Sequence, residues 1–161
     1  MLDAWLAALE ATDLARQLRD SVWLYPLVNA AHIAGVAVLV GSIVPLDLRL
    51  LGAWKSVPLQ SLWHVLTRSA AAGLALAVVF GALLFVTRAT EYAVSGLFLS
   101  KMAVVGVATG NALSLRLLPR GDIEQMCSLR GAVPKRVRLA ALISLLGWFA
   151  ALTLGRLVGY F

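Results

Sequence analysis

The sequence has few of the groups that build metal clusters and acid–base sites. It contains one cysteine, Cys127, two histidines and only eight acidic residues in 161. A single cysteine excludes an intramolecular disulfide and a cysteine metal cluster. We expect the acidic residues to lie in tails and connections, so no carboxylate pair is expected within a membrane. Neither a phosphate-binding loop nor a nucleophile with its base is present, which argues against an enzyme that works alone.

What the chain has in excess is apolar side chains. Hydrophobic residues make up 61% of the sequence and charged residues 14%, and the mean hydropathy is +0.88. These values are typical of a membrane protein, and the whole of 1–161 is interpreted as a single membrane domain. The net charge of +6 comes mainly from basic residues between apolar runs. This placement favours contact with lipid headgroups and argues against nucleic acid as a partner.

Four apolar runs predict an all-α fold, a four-transmembrane-helix bundle. A span requires roughly 20 apolar residues, and the runs lie at about 22–46, 69–87, 95–117 and 135–158. The segment at about 2–19 mixes charges with a helical apolar period, which predicts an N-terminal amphipathic interfacial helix or, as an alternative, a partner-binding helix. The stretch after Asp47 is expected to be a connection, with an ion pair between Asp47 and Arg49. A short helix is expected between Asp122 and Gly131.

Three of the spans carry stripes of small residues, four positions apart. Such stripes let helices approach closely in lipid. The stripes are Gly73, Ala77 and Gly81 in the second span, Gly106, Gly110 and Ser114 in the third, and Gly147, Ala151, Gly155 and Gly159 in the fourth.

The candidate site lies in the first span. Tyr25, Asn29 and His32 recur at i, i+4 and i+7, so they share one helical face. An ionisable residue within a membrane is a functional-site hypothesis by default. Counting 1.5 Å per residue places Trp148 at the level of His32, and its indole N–H is a candidate hydrogen-bond donor. The alternatives are a site for a quinone headgroup, a haem or a transferable proton, and a purely structural hydrogen bond between helices.

Two further polar residues bear on this site. Lys101 is expected either to extend towards the outer interface or to contact Glu91 or the Tyr25–Asn29 face. His64 precedes Arg68 and falls at the edge of the membrane, far from the depth of His32. The two axial ligands of one haem must face each other at a similar depth, so His32 and His64 do not predict bis-histidine ligation.

Several short motifs of the chain carry a likeness to known proteins. They are Trp23-x-Tyr25-Pro26, His32, Asp47-Leu-Arg-Leu-Leu-Gly52, Phe98-x-x-Lys101 and Asn111. In these motifs the chain resembles a family of small bacterial inner-membrane proteins without an established activity. The likeness extends from Val22 to about Leu118 and implies a four-helix inner-membrane protein. A looser likeness, in helix count and in a first-helix histidine, links it to cytochrome b561 and copper-resistance membrane bundles.

These observations favour a multi-pass accessory or anchoring subunit of the bacterial inner membrane. Its polar site would comprise Tyr25, Asn29, His32, Lys101 and Trp148 and would serve a membrane redox partner or a quinone. The alternative is an electron-transfer subunit that binds haem b through His32. Besides the lipid bilayer, the expected partners are other membrane subunits or further copies of this chain.

Orientation is predicted from the distribution of lysine and arginine. The first and third connections hold nine of these residues and the opposite side holds five. The positive-inside rule therefore places both termini on the periplasmic side.

Reporter fusions after Lys55 and Arg130 should report cytoplasm, and a fusion after Phe161 should report periplasm. Fusions after Arg130 and Phe161 that report the same side would contradict the four-span topology.

Overall fold

In the computed structural model, residues 1–118 and 133–160 are described. This part of the chain is all-α, and four of its helices are long and apolar enough to cross a membrane. The predicted all-α four-helix bundle is confirmed. The short helix expected between Asp122 and Gly131, and Cys127, lie outside the described residues. The described helices are α1 (Leu2–Glu10), α2 (Asp13–Asp20), α3 (Leu24–Leu51), α4 (Leu59–Thr87), α5 (Ala89–Val94), α6 (Gly96–Arg116) and α7 (Lys135–Leu157).

The first two spanning helices are longer than predicted. Helix α3 continues beyond residue 46 to Leu51, and α4 begins at Leu59, well before residue 69. The added turns are stabilised by a buried cluster of Leu46, Leu50, Leu59, Trp63, Val137 and Ala141. Gly52 caps the C-terminal end of α3, and its φ of +114° favours a residue without a Cβ. The connection between the two helices is therefore short, and Asp47 lies within α3.

The N-terminal segment forms two helices where one was predicted. Thr12 separates them and caps α2, because its side chain accepts a hydrogen bond of 3.3 Å from the Ala15 amide. Leu6, Ala15 and Leu18 are buried. Helix α1 packs against α4 and α5, and α2 packs against α3 and α4. The apolar face of this segment therefore contacts the bundle itself.

Polar contacts attach the same segment to the end of α4. Arg19 donates hydrogen bonds to the Thr87 and Glu10 carbonyls at 2.9 and 2.8 Å. The Glu10 carboxylate accepts bonds of 2.7 Å from both the amide and the hydroxyl of Thr90. These bonds lower the pKa of Glu10, and the bond from the Thr90 amide has the largest effect. They do so because they stabilise the charged form of the carboxylate. The N-terminal helices thus hold the corner between α4 and α5.

Helices α3 and α4 touch backbone to backbone. A Cβ added to Gly73 would lie 2.5 Å from the Leu39 amide nitrogen and 2.8 Å from the Gly35 carbonyl oxygen. A Cβ on Gly35 would lie 2.6 Å from the Ala77 amide nitrogen. The predicted close approach along the Gly73–Ala77–Gly81 stripe is confirmed, and its partner on α3 is Gly35.

The second pair of spanning helices is α6 and α7. A Cβ on Gly147 would lie 3.2 Å from the Ala108 side chain, so this part of the fourth-span stripe is in close contact. Asn111 donates a 2.9 Å hydrogen bond to the Ala140 carbonyl, which ties the helices together. The stripe of the third span does not act as predicted. Nothing lies within 4 Å of a Cβ on Gly106 or Gly110, because that face of α6 points away from the described residues.

The two pairs meet through α3 and α7, while α4 and α6 do not approach each other closely. A second buried cluster of Leu39, Ile43, Ala108, Trp148 and Ala151 fills the middle of the bundle. The space between α4 and α6 remains as a cleft, with α3 and α7 as its floor.

Replacing Gly73 by alanine should destabilise the bundle. The added methyl group would meet backbone atoms, which only a separation of α3 from α4 can relieve, and overpacking costs about 1–3 kcal/mol. Gly106→Ala is the matched control, because its methyl group meets nothing and alanine has up to about 1 kcal/mol higher helix propensity. Thermal unfolding in detergent should show a lower Tm for Gly73→Ala only. Equal Tm values for the two variants would contradict the backbone contact.

Candidate functional site

His32 is held against α4 at mid-helix. Its Nδ1 atom lies 2.8 Å from the Ala77 carbonyl oxygen. Gly81 makes room for the ring, since a Cβ there would lie 3.0 Å from Cε1 and 3.1 Å from Nδ1 of His32. The Gly73–Gly81 stripe therefore provides both the close helix contact and the place for the imidazole.

This hydrogen bond determines which ring nitrogen is available. A carbonyl oxygen can only accept, so Nδ1 must donate its proton to Ala77. In the neutral imidazole, Nε2 then carries a lone pair and no proton. No hydrogen bond to Nε2 is made within the described residues. His32 thus presents an acceptor, or a metal ligand, with its orientation set by α4.

Lys101 is the charged neighbour of His32. It projects from α6 and is close enough to His32 to affect it electrostatically. Its Cε atom would lie 3.4 Å from a Cβ on Gly155 of α7, so the lysine stem crosses that glycine. The contact of Lys101 with Glu91, one of the alternatives from the sequence, is not formed, because Glu91 pairs with Arg88 at 3.4 Å. No carboxylate pairs with Lys101 in the described part of the chain.

Tyr25 and Asn29 share the helical face of His32 but take no part in its contact with α4. Both are exposed, and Asn29 makes no hydrogen bond with the described residues. Tyr25 lies near Tyr92 of α5, where burial raises the pKa of the Tyr92 phenol and Tyr25 adds to the effect. Tyr92 stacks with Phe98 at a centroid distance of 5.1 Å. The outer part of the predicted site is therefore an aromatic, lipid-accessible edge.

Trp148 does not bond to His32, so the predicted contact between them is wrong. The Trp148 Nε1 atom is buried and makes no hydrogen bond within residues 1–118 and 133–160, and the side chain packs with Leu39 and Ile43. Gly155, two helical turns further along α7, is the residue of that helix that lies beside Lys101. The depth count failed because it placed each helix by its own apolar run, while packing determines how far α7 is shifted along α3.

Asp47 is the residue whose environment the sequence did not reveal. It is only 4% exposed, and its Oδ2 atom is buried without a hydrogen-bond partner among the described residues. The predicted ion pair with Arg49 is wrong, because Arg49 donates to the Val57 and Lys55 carbonyls at 3.0 and 3.3 Å. The continuing apolar stripe of Leu39, Ile43, Leu46 and Leu50 was the available signal that α3 extends past Asp47.

Asp47 and Trp148 line the same cavity, which we call the α4–α6 cleft. Its volume is about 120 Å³. Trp63 and Thr67 of α4, Asn111 and Arg116 of α6 and Ser144 of α7 also line it, among aliphatic side chains. The cleft lies at the end of the bundle where α3 ends and α4 begins.

The second histidine is remote from the first. His64 is exposed and lies 13 residues before Ala77, or about 20 Å along α4. The two histidines of one chain therefore cannot ligate one haem. Within the described ranges no group of three histidine, cysteine or acidic residues could bind a metal ion.

Comparison with known proteins gives no relative. No family model, no characterised protein and no solved structure matches the chain.

A double-mutant cycle can measure the contact between Gly81 and His32. Gly81→Ala should be about 1 kcal/mol less favourable in the wild-type background than in a His32→Ala background, since the methyl group displaces the ring and weakens a hydrogen bond that averages about 0.6 kcal/mol in membranes. In the His32→Ala background the ring is absent, so only the gain in helix propensity from alanine remains. Helix propensity cancels between the two arms. Equal effects in both backgrounds would show that Gly81 does not accommodate the ring.

Proposed function

We propose that the protein is an accessory or anchoring subunit of the bacterial inner membrane that binds a quinone headgroup between His32 and Lys101. The observation that carries the proposal is the pairing of an oriented imidazole with a lysine that has no counter-charge in the described residues. Buried or half-buried polar groups in lipid are expensive and tend to mark ligand sites.

The two side chains complement the two forms of a quinone. A quinone carbonyl accepts hydrogen bonds, and the Lys101 ammonium can donate one to it. A quinol hydroxyl donates a hydrogen bond, and Nε2 of His32 can accept it. The ring of such a ligand is apolar and its isoprenoid tail would remain in lipid, beside the exposed aromatic edge at Tyr25. Ligand sites of this kind combine apolar walls with a few placed polar groups.

The remaining features of the proposal come from the sequence. The distribution of lysine and arginine favours periplasmic termini, and the family likeness favours the inner membrane. The exposed faces of α6, which include Gly106 and Gly110, offer surface to lipid, to another subunit or to a second copy. The compact bundle itself supports an anchoring role, because nearly all of the described chain is committed to helices at or within the membrane.

Haem b is the second candidate, and one observation favours it. Histidines that ligate metals usually donate their other ring nitrogen to a carbonyl or carboxylate, as His32 does to Ala77. His32 would then be the single histidine ligand, or the haem would be shared with another subunit. A reduced b-type α-band in the visible spectrum of the purified protein would favour this candidate over the quinone.

Quinone binding can be measured with short-chain ubiquinone and menaquinone analogues by tryptophan quenching in nanodiscs. His32→Asn keeps a donor near the position of Nδ1 and removes Nε2, and Lys101→Gln removes the charge. Lys101→Gln should weaken binding of the oxidised analogues roughly tenfold or more, since a hydrogen bond involving a charged group is worth about 1.5–3 kcal/mol and 1.4 kcal/mol is a factor of ten. His32→Asn should weaken binding of the reduced, quinol analogues several-fold, since a neutral hydrogen bond is worth about 0.5–1.5 kcal/mol.

Lys135→Gln is the control, because it removes a lysine at the opposite end of the bundle. It should bind the analogues like the wild type. Unchanged affinity in both site variants would overturn the proposal and leave His32 as a structural contact between helices.

A further inference from the structure

The α4–α6 cleft contains two buried polar atoms without a partner. Asp47 is 4% and Trp148 5% exposed, and Asp47 Oδ2 and Trp148 Nε1 are the buried side-chain atoms that lack a hydrogen bond in the described residues. An unpartnered buried polar group costs about 1–3 kcal/mol. Both groups belong to residues that line one cavity, so a small polar occupant of that cavity is the nearest available partner.

The chemistry of these two atoms restricts the occupant. The indole N–H can only donate, so it needs an acceptor, while a carboxylate oxygen needs a donor. A bare cation would leave Trp148 unsatisfied, and an anion would face the Asp47 carboxylate. A hydroxyl group satisfies both, and water is the smallest molecule with one.

The size of the cleft also favours water. At about 30 Å³ per molecule, a volume of about 120 Å³ corresponds to roughly four waters. It is smaller than the closed 150 Å³ cavity that holds benzene, so its enclosed part suits small occupants best. Thr67, Asn111 and Ser144 supply further hydrogen-bonding groups along the wall, and the Ser144 hydroxyl is itself a partner of the Asp47 carboxyl.

We propose that the α4–α6 cleft is a water-filled proton-binding site in which Asp47 takes up a proton from cleft water. The proton passes from a hydronium ion to the carboxylate, an O–H bond forms on Oδ2, and a neutral water molecule remains between Asp47 and Trp148. The reverse step returns the proton to the water. The site is separate from the proposed quinone site, since His32 precedes Asp47 by 15 residues, about 22 Å along α3.

The surroundings of Asp47 supply almost no competing charge. Among the described residues that line the cleft, Arg116 of α6 is the other charged one, and it is exposed. Helix α4 contributes Trp63 and Thr67, and α7 contributes Ser144 and Trp148, none of which titrates as an acid or base near neutral pH. Because no cation among the described residues neutralises it, the Asp47 carboxylate loses most of its hydration on burial, and a bound proton lowers that cost.

Infrared difference spectroscopy between low and high pH can test this on the full chain in liposomes. The wild type should show a carboxylic C=O band that is absent in Asp47→Asn and retained in Glu91→Gln, a surface control that keeps the cleft intact. In D2O the wild-type band should shift to lower frequency within minutes, because the proton exchanges with cleft water. This D2O measurement needs no variant to fold.

Trp148→Phe and Ser144→Ala test the two residues that hold the water and the carboxyl. Both should shift the frequency of the Asp47 band and the midpoint of its titration. The absence of any Asp47-specific band would overturn proton binding, and a band that does not exchange in D2O would overturn the water-filled cleft. A band unchanged in Trp148→Phe would remove Trp148 from the site.

Discussion

The contact of α3 with α4 at Gly35 and Gly73 is the constraint on which the rest of the structure depends. Membrane helices gain little from hydrophobic burial against lipid, so close packing of backbones is one of their main sources of association. Here the approach is so close that no side chain fits at either position. The same stripe continues to Ala77 and Gly81, and this continuation fixes the depth and orientation of His32.

The polar residues of the bundle are concentrated at two places. His32 and Lys101 lie in the half of the bundle where α3 and α6 begin. Asp47 and Trp148 lie towards the end where α3 is followed by α4. Each place combines a group that can accept a hydrogen bond with a group that can donate one. In a chain whose spanning helices are otherwise apolar, such pairs require either a partner between helices or a ligand. His32 has one helix partner, at Ala77, whereas Asp47 Oδ2 and Trp148 Nε1 have none.

The bundle is also asymmetric. Helices α3 and α7 form its centre, while α4 and α6 lie apart and leave the cleft between them. Helix α6 is the least enclosed of the spanning helices, with Ala108 as its buried residue. Gly106 and Gly110 face outward from it. This arrangement gives the cleft an open side and gives α6 a smooth surface, which agrees with a protein that works beside other membrane components.

The sequence by itself determined the number of spanning helices and the presence of a polar site in the first one. Bilayer thickness sets the length of an apolar run, and intramembrane ionisable residues stand out against apolar neighbours. Only the tertiary structure decided the burial of Asp47, the position of Trp148 and the outward orientation of Gly106. These depend on the rotation of each helix and its shift along its neighbours, which packing between helices determines and the hydropathy of a single helix does not record.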